Sequence, residues 1–262
     1  MPVQSPVMTM MMRAAEKAGR SLLRDFNEIE NLQVSRKGPG DFVTAADKRS
    51  EKIIFEELQK ARPDYSFMME ESGEVKGNDP DHVWIIDPLD GTHNFMHGVP
   101  HWSISIALEQ KGQIVSGLIY DCAKDELFTA EKGGGAWLRN RRLRASGRNV
   151  LEQCMINYGQ PVNTNEARDL FYKELRVVQN HAMVRRFASA ALDLAYVAAG
   201  RIDGYWERGI KPWDVAAGVL IVKEAGGAVS SIENDDNPVY SGNLVSGNQQ
   251  VHSDIRKLLK TA

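Results

Sequence analysis

Residues 84–100 read WIIDPLDGTHNFMHGVP, and the rest of the chain is arranged around this stretch. Val83, Trp84, Ile85 and Ile86 form an apolar run of strand character that drives straight into Asp87. Pro88 lacks a backbone donor and is expected to stop the strand, and Asp90-Gly91-Thr92 turns the backbone. Two carboxylates three residues apart at the mouth of a buried strand are costly unless they are paired or bound to metal. Gly91 and Thr92 then precede a short helix through Phe95 and His97. Such a helix start offers unpaired N–H groups to an anion, and a glycine there lets the anion approach closely. Thr92 either caps this helix or orients a water.

On both sides of that stretch the pattern is helix and strand in ordered blocks. Apolar residues at helical spacing (Met11, Ala14, Ala15, Ala18, Leu22, Phe26) predict a first helix over 8–29. A short strand is expected over 31–35 and a loop at Lys37-Gly38-Pro39-Gly40. Thr44 caps a second helix, with Asp47 placed to complement its start, and Ile54, Phe55, Leu58 and Ala61 continue it to Pro63. These two helices are expected to pack as a pair. Ser66–Met69 reads as a brief strand ending at Glu70-Glu71, followed by a polar loop to Asp81. Strands over 103–109, 114–120, 126–130 and 136–138, split by turn residues, predict an antiparallel meander. From Cys154 onward strand and helix alternate: strands near 154–157, 182–187, 204–208, 228–232 and 244–246, helices over 166–175, 189–199, 213–225 and 251–259. That alternation implies helices layered on a mostly parallel or mixed sheet. The chain divides near Ser146 into an N-terminal lobe, 1–145, and a C-terminal lobe, 146–262, expected to form one cooperative unit.

Composition agrees with a globular enzyme and excludes little else. The 262 residues are 42% hydrophobic and 26% charged, with a net charge of −3, so nothing pulls the chain toward nucleic acid or membrane as a whole. Cys122 and Cys154 fit a reducing compartment. The N-terminal methionines are followed at once by Arg13, Glu16 and Lys17, too short and too charged for a leader or a spanning segment, which makes the cytoplasm the expected location.

Acidic residues follow strands at three places: Glu70 or Glu71, Asp87 with Asp90, and Asp214 in Lys211-Pro212-Trp213-Asp214. Magnesium takes oxygen ligands, and acids from separate strand ends can share two such ions in one cleft. The central stretch therefore reads as half of a magnesium-dependent site for hydrolysing a phosphate ester. Other phosphatase chemistries fail on spacing. No arginine stands six residues after either cysteine, where Phe128 and Gln160 sit, and Asp87 and Asp90 are not spaced by two. No Walker lysine loop is present. His93, His97 and His101 are spaced by four, but Pro100 breaks the helix before the third and no acidic base accompanies them as a metalloprotease site would require. Arg139, Arg141, Arg142, Arg144 and Arg148 form a basic run, read either as a solvated turn or as an RNA or protein contact.

Taken together, these residues resemble the inositol monophosphatase family, most closely its bacterial SuhB-type branch. The resemblance rests on Asp41-Phe42-Val43-Thr44 through Asp47, Glu70-Glu71-Ser72, residues 84–100, Ser189-Ala190-Ala191-Leu192-Asp193, and Trp213-Asp214 ahead of Glu224-Ala225-Gly226-Gly227. It implies a layered αβαβα sandwich of class α+β or α/β, with an antiparallel-sheet lobe and a mixed-sheet lobe, usually a homodimer. It also implies Mg2+ in the cleft. Glu70, Asp87 and the Leu89 carbonyl would hold one ion, Asp87, Asp90 and Asp214 a second, with a weaker third near Glu70. Thr92 with Asp47 would orient the attacking water, Glu70 standing beside it, and Gly91 and Thr92 would bind phosphate. Asp90, Ala188, Ser189, Ala190 and Glu207 would face the polyol end of the substrate, with Asp214 close to the ester oxygen. The implied reaction is hydrolysis of inositol 1-phosphate, with lithium sensitivity. Fructose bisphosphate, a nucleotide phosphate or histidinol phosphate are rival substrates, and contact with RNA or the transcription machinery is the rival role. Three departures from the family pattern, Met69, His93 and Ala188, are expected to add bulk near the cleft.

Overall fold

A computed structural model of the chain describes residues 5–28, 34–38, 41–159, 165–234 and 237–262. Helix α1 (Pro6–Asn27) is capped by Ser5, and α2 (Ala45–Ala61) by Thr44, whose side chain accepts from the backbone N–H groups of Ala46 and Asp47. The two helices pack on each other and on one face of an eight-stranded sheet. That sheet contains β3 (Ser66–Met69), β4 (Gly73–Val75), β5 (His82–Asp90), β6 (Ser103–Gln110), β7 (Gln113–Asp121), β8 (Glu126–Glu131), β9 (Gly135–Leu138) and β10 (Arg141–Arg142) in the order β10-β9-β8-β7-β6-β5-β3-β4. The expected meander is present, and only β3 and β5 run parallel. A five-stranded mixed sheet follows, formed by β11 (Met155–Tyr158), β12 (Met183–Arg185), β13 (Gly204–Arg208), β14 (Ala228–Ser230) and β15 (Asn243–Gly247), in the order β12-β11-β13-β15-β14.

Between the sheets lie α5 (Ala190–Ala198) and α6 (Pro212–Glu224), and outside the second sheet lie α4 (Asn165–Gln179) and α7 (Gln249–Thr261). The layers are therefore αβαβα, as the family resemblance implies. Three apolar cores fill the gaps, and strand alternation assigns side chains to them. Trp84 and Ile86 face the α1–α2 layer, whereas Ile85 faces the central helices. Tyr205 faces the central helices too, and its neighbour Trp206 faces α4 and α7. Both sheets are covered on both faces, so an interior strand such as β5 is buried along nearly its whole length rather than at alternate residues.

The central helices come unusually close because the sheet offers them a trough of small residues. Ile85, Ala107, Gly117, Ala130 and Ala136 are cross-strand neighbours in one row. Helix α6 lays Ala216, Ala217 and Gly218 among them and α5, all within one apolar core.

Four local expectations are corrected. Pro88 does not end β5; the strand continues to Asp90, and the ladder with β6 is irregular between Asp87 and Asp90. An irregular ladder tolerates the missing proline donor. Lys37 and Gly38 belong to β1 (Val34–Gly38), which pairs with β2 (Asp41–Thr44), rather than to a loop. Of the expected strand over 31–35, positions 31–33 lie outside the described residues, as do Pro39 and Gly40. The polar segment before Asp81 contains β4, held by pairing with β3 despite its few apolar residues. Finally, Arg141 and Arg142 form the edge strand β10 rather than a turn, a charged edge of the kind that blocks further pairing.

A Cβ at position 117 would stand 2.8 Å from the Ala217 carbonyl oxygen and 3.1 Å from its Cα, backbone atoms that cannot swing aside. Gly117→Ala is therefore expected to cost about 1–3 kcal/mol by overpacking. Thermal unfolding should show a midpoint lowered by roughly 2–4 °C for each of those kcal/mol.

Candidate active site

The site is assembled by backbone register. Strands β3 and β5 are parallel with Met69 beside Ile86, and the Glu70 N–H donates to the Ile86 carbonyl at 3.2 Å, so Glu70 falls next to Asp87. Across β5, Asp87 is paired with Ser105 of β6, whose hydroxyl donates to the Trp213 carbonyl at 3.2 Å. That contact fixes the start of α6 and brings Asp214 into the same neighbourhood. Asp87 accepts from the Leu89 N–H at 2.9 Å, and Ser50 of α2 donates to the Pro88 carbonyl at 2.8 Å, so the irregular segment is held from both sides.

These acids perturb one another. Burial pushes the Asp87 carboxyl well above the ordinary range, and the neighbouring charges of Glu70, Asp90 and Asp214 push it further. Burial, then the charge of Asp90, raises Asp214 in the same way, against the backbone N–H of Lys211 that donates to it at 2.9 Å. Among the described residues no three acidic, histidine or cysteine side chains form a compact, ready-made cation cage. Like charges without a counterion repel, by about 4 kcal/mol at ~4 Å with an effective dielectric near 20. The donors are all oxygen and converge from different elements, which suits a hard divalent cation.

Asp90 has a second task. It accepts from the Ser189 hydroxyl and from the N–H groups of Ala190 at 3.2 Å and Ala191 at 3.0 Å. It thus serves from a distance as the cap of α5, whose own N-cap residue, Ser189, makes no side-chain capping bond. Burial raises Asp90 to about 6 against the pull of those donors. A carboxylate has about four acceptor positions, so these bonds leave it able to hold a cation.

Gly91 adopts φ 89°, and a Cβ there would meet the His101 carbonyl at 3.1 Å, so only glycine fits. No side chain caps the following helix α3 (Thr92–Met96), which leaves its first N–H groups open. The Thr92 hydroxyl lies 3.1 Å from Asp47 Oδ1 and 3.0 Å from the Leu89 carbonyl. Asp47, also bonded by the N–H and hydroxyl of Thr44, is raised by burial in spite of those donors. Glu207 accepts from the Tyr205 hydroxyl and is pushed up to about 7, by burial before all else. Its charge acts on Asp214, and that of Asp90 acts on it, so it lies near both acids.

The three departures behave differently from one another. Met69 is buried in the α1–α2 core, so it adds no bulk to the cleft, correcting that expectation. His93 is exposed. Ala188 has φ 60°, the left-handed conformation that a glycine would adopt without strain. The histidine series does not gather: His93 and His97 are exposed, while the His101 ring packs 5.4 Å from Phe187 and 5.6 Å from Tyr196. Sequence reasoning overlooked Ser50 and Ser105, and gave no role to Asn94. The Asn94 amide donates to the carbonyls of His101 and Phe187, both at 2.8 Å, and so ties the segment before Ser189 to the central stretch. Nothing local marks these residues, because their partners are distant in sequence. An open cavity of about 900 Å³ lies elsewhere, beside Arg142, Arg144, Ser146, Asn149 and Gln250.

The fold is a layered αβαβα sandwich that gathers acidic side chains, and comparison with known proteins identifies both the class, a phosphoric monoester hydrolase, and the family. The chain belongs to the inositol monophosphatase family, whose model matches residues 3–261. It is 53% identical over 258 residues to the inositol-1-monophosphatase of Mesorhizobium japonicum, covering 98% of this chain and 97% of that one. It is 42% identical to the Nus factor SuhB of Escherichia coli, covering 94% and 92% respectively. The crystal structure of extragenic suppressor protein suhB from Bartonella henselae superposes with a TM-score of 0.95 at 51% identity, over 98% of this chain and all of the other.

Ala188→Gly removes a left-handed alanine, which costs about 1–2 kcal/mol, but adds freedom to the unfolded chain. The net expectation is a gain of roughly 0.5–1 kcal/mol. A raised urea midpoint at unchanged slope would register it; an unaltered or lowered midpoint would show that the conformation is unstrained.

Proposed function

We propose that the chain is a magnesium-dependent phosphomonoesterase acting on a small polyol phosphate, inositol 1-phosphate foremost. The observation that carries this reading is the convergence of Glu70, Asp87, Asp90 and Asp214 beside the Gly91–Thr92 helix start. The 53% identical relative named inositol-1-monophosphatase supports the choice of substrate.

Glu70, Asp87 and the Leu89 carbonyl would hold one Mg2+, and Asp87, Asp90 and Asp214 a second, with a weaker third near Glu70. When bound, such ions lower the pKa of a coordinated water and stabilise the departing alkoxide. The chain's own groups do the rest. The Thr92 hydroxyl, with its proton directed toward Asp47 Oδ1 or the Leu89 carbonyl, offers a lone pair to orient the attacking water. The open N–H groups at the start of α3 receive the phosphate oxygens. Asp90, Ser189, Ala190 and Glu207 face the hydroxyls of the leaving group. Water attacks phosphorus directly in this scheme, with inversion and no phosphoenzyme, because phosphoryl transfer rests on positioning and charge stabilisation.

No helix among the described residues is long and apolar enough to cross a membrane; a cytoplasmic location is proposed on family grounds. A homodimer and lithium sensitivity complete the reading on family grounds.

A second role, as a partner of RNA or the transcription machinery, is favoured by the relatives named Nus factor and by the exposure of Arg141, Arg142 and Arg144. Arg139 and Arg148 are already engaged, with Asp125 and Asp203.

A phosphate-release screen over small phosphomonoesters, with and without magnesium, tests the main reading. Inositol 1-phosphate should lead the series, and activity should vanish with chelator. Asp87→Asn should abolish turnover while the folded circular-dichroism spectrum persists; near-wild-type turnover would refute the assignment. Magnesium should also raise the melting temperature of the wild type, since a ligand of the native state stabilises it. Replacing Arg141, Arg142 and Arg144 together with alanine should weaken capture of RNA or transcription proteins yet leave phosphate release intact. Equal capture by both forms would discard the basic run as the contact.

A further inference from the structure

Two residues stand directly against the Glu207 carboxyl group, Tyr205 and Gly159. In the five-stranded sheet Asn157 pairs with Tyr205 and Tyr158 with Trp206, and the Gly159 N–H donates to the Trp206 carbonyl at 3.0 Å. The register therefore brings Gly159 alongside Glu207. Tyr205 and Glu207, two residues apart on β13, share the sheet face turned toward the central helices, and the Tyr205 hydroxyl donates to Glu207 Oε2. The other side of the carboxyl group occupies the space that any side chain at 159 would need. A Cβ built on Gly159 would lie inside the Glu207 carboxyl group, overlapping its carbon and both oxygens. The three atoms nearest to that Cβ all belong to this one flexible side chain, so a substitution there is resolved by moving Glu207 rather than the backbone.

We propose that Gly159 and Tyr205 are positioning residues that hold the Glu207 carboxylate toward the substrate's hydroxyls and thereby set selectivity for a polyol leaving group. The inference rests on the phosphomonoesterase reading of the site. Tyr205 occupies Oε2, which leaves Oε1 as the acceptor turned to the ligand. A buried layer backs this pair: Asp193 Oδ1 accepts from Asn157 Nδ2 at 2.7 Å, and both residues are fully enclosed. The charges of Glu207 and Asp90 face Asp193, and that of Arg186 faces it from the rim. The polyol end thus presents the carboxyl groups of Glu207 and Asp90, acceptors for hydroxyl donors. A glycine at 159 needs no left-handed backbone here, since its φ is not among the positive values. Its role is the room it leaves.

Kinetics of Gly159→Ala and Tyr205→Phe on inositol 1-phosphate and on 4-nitrophenyl phosphate, which has no ring hydroxyls, separate the possibilities. Gly159→Ala should raise KM for inositol 1-phosphate by about tenfold with kcat little changed, as expected when uniform binding is lost. Its KM for 4-nitrophenyl phosphate should stay within about twofold of wild type, and Tyr205→Phe should follow the same pattern more weakly. Adding Gly159→Ala to Glu207→Gln should cost no more than Glu207→Gln alone, because residues acting through one group are not additive. Unchanged KM for both substrates, or equal losses on both, would overturn the proposal. If the wild type hydrolyses neither substrate, the phosphomonoesterase reading itself fails. The positioning claim is then decided by a crystal structure of Gly159→Ala: a displaced Glu207 carboxylate upholds it, and an undisplaced one refutes it.

Discussion

Like charges do not gather unaided, and the constraint that shapes this protein is the need to hold several carboxylates near the end of one buried strand. The means are strand register and hydrogen bonds between side chains and backbone. A parallel partner strand sets Glu70 beside Asp87, a cross-strand serine fastens the start of α6 with Asp214, and the N-terminus of α5 is capped by Asp90 from across the fold. Each of these contacts costs the chain little in side-chain entropy, because the groups it orders belong to rigid elements. A site carried on such elements keeps its geometry better than one carried on loops.

The same arrangement ties the two sheets together. Asp90 ends strand β5 of the first sheet, yet its hydrogen-bond donors lie at the start of a helix that also packs against the second. Asn94 adds a further tie to the segment before that helix. The acids therefore lie against the helix layer shared by the two sheets, and a disturbance in the packing of α5 or α6 reaches them directly. The small-residue row under α6 is what allows this closeness: larger side chains at 107, 117 or 130 would lift the helix, and Asp214 with it.

Much of the fold was legible in the sequence because its strands and helices are strongly patterned. The first helix, the capped second helix, the four-strand meander and the alternating second half all appear within a few residues of their expected limits. The misreadings share a cause. Pro88 signals a strand end by local rules, but an irregular ladder with β6 accommodates it; β4 and β10 are too short and polar to announce themselves and exist because a neighbouring strand offers them partners. Met69 was misplaced for the same kind of reason, since only pairing decides which face of β3 it occupies.

For the site, the sequence by itself determined the inventory: the acids, the Gly91–Thr92 turn and the serine-led helix can be found without coordinates, since strand-then-acid and glycine-then-helix are local patterns. The tertiary structure alone decided which acids meet, that Asp90 caps a helix a hundred residues away, and that Ser50, Ser105 and Gly159 matter to the cleft. Those facts depend on strand register and on the space left between packed layers. Register and packing are properties of pairs of distant segments, and a linear pattern encodes each segment only singly.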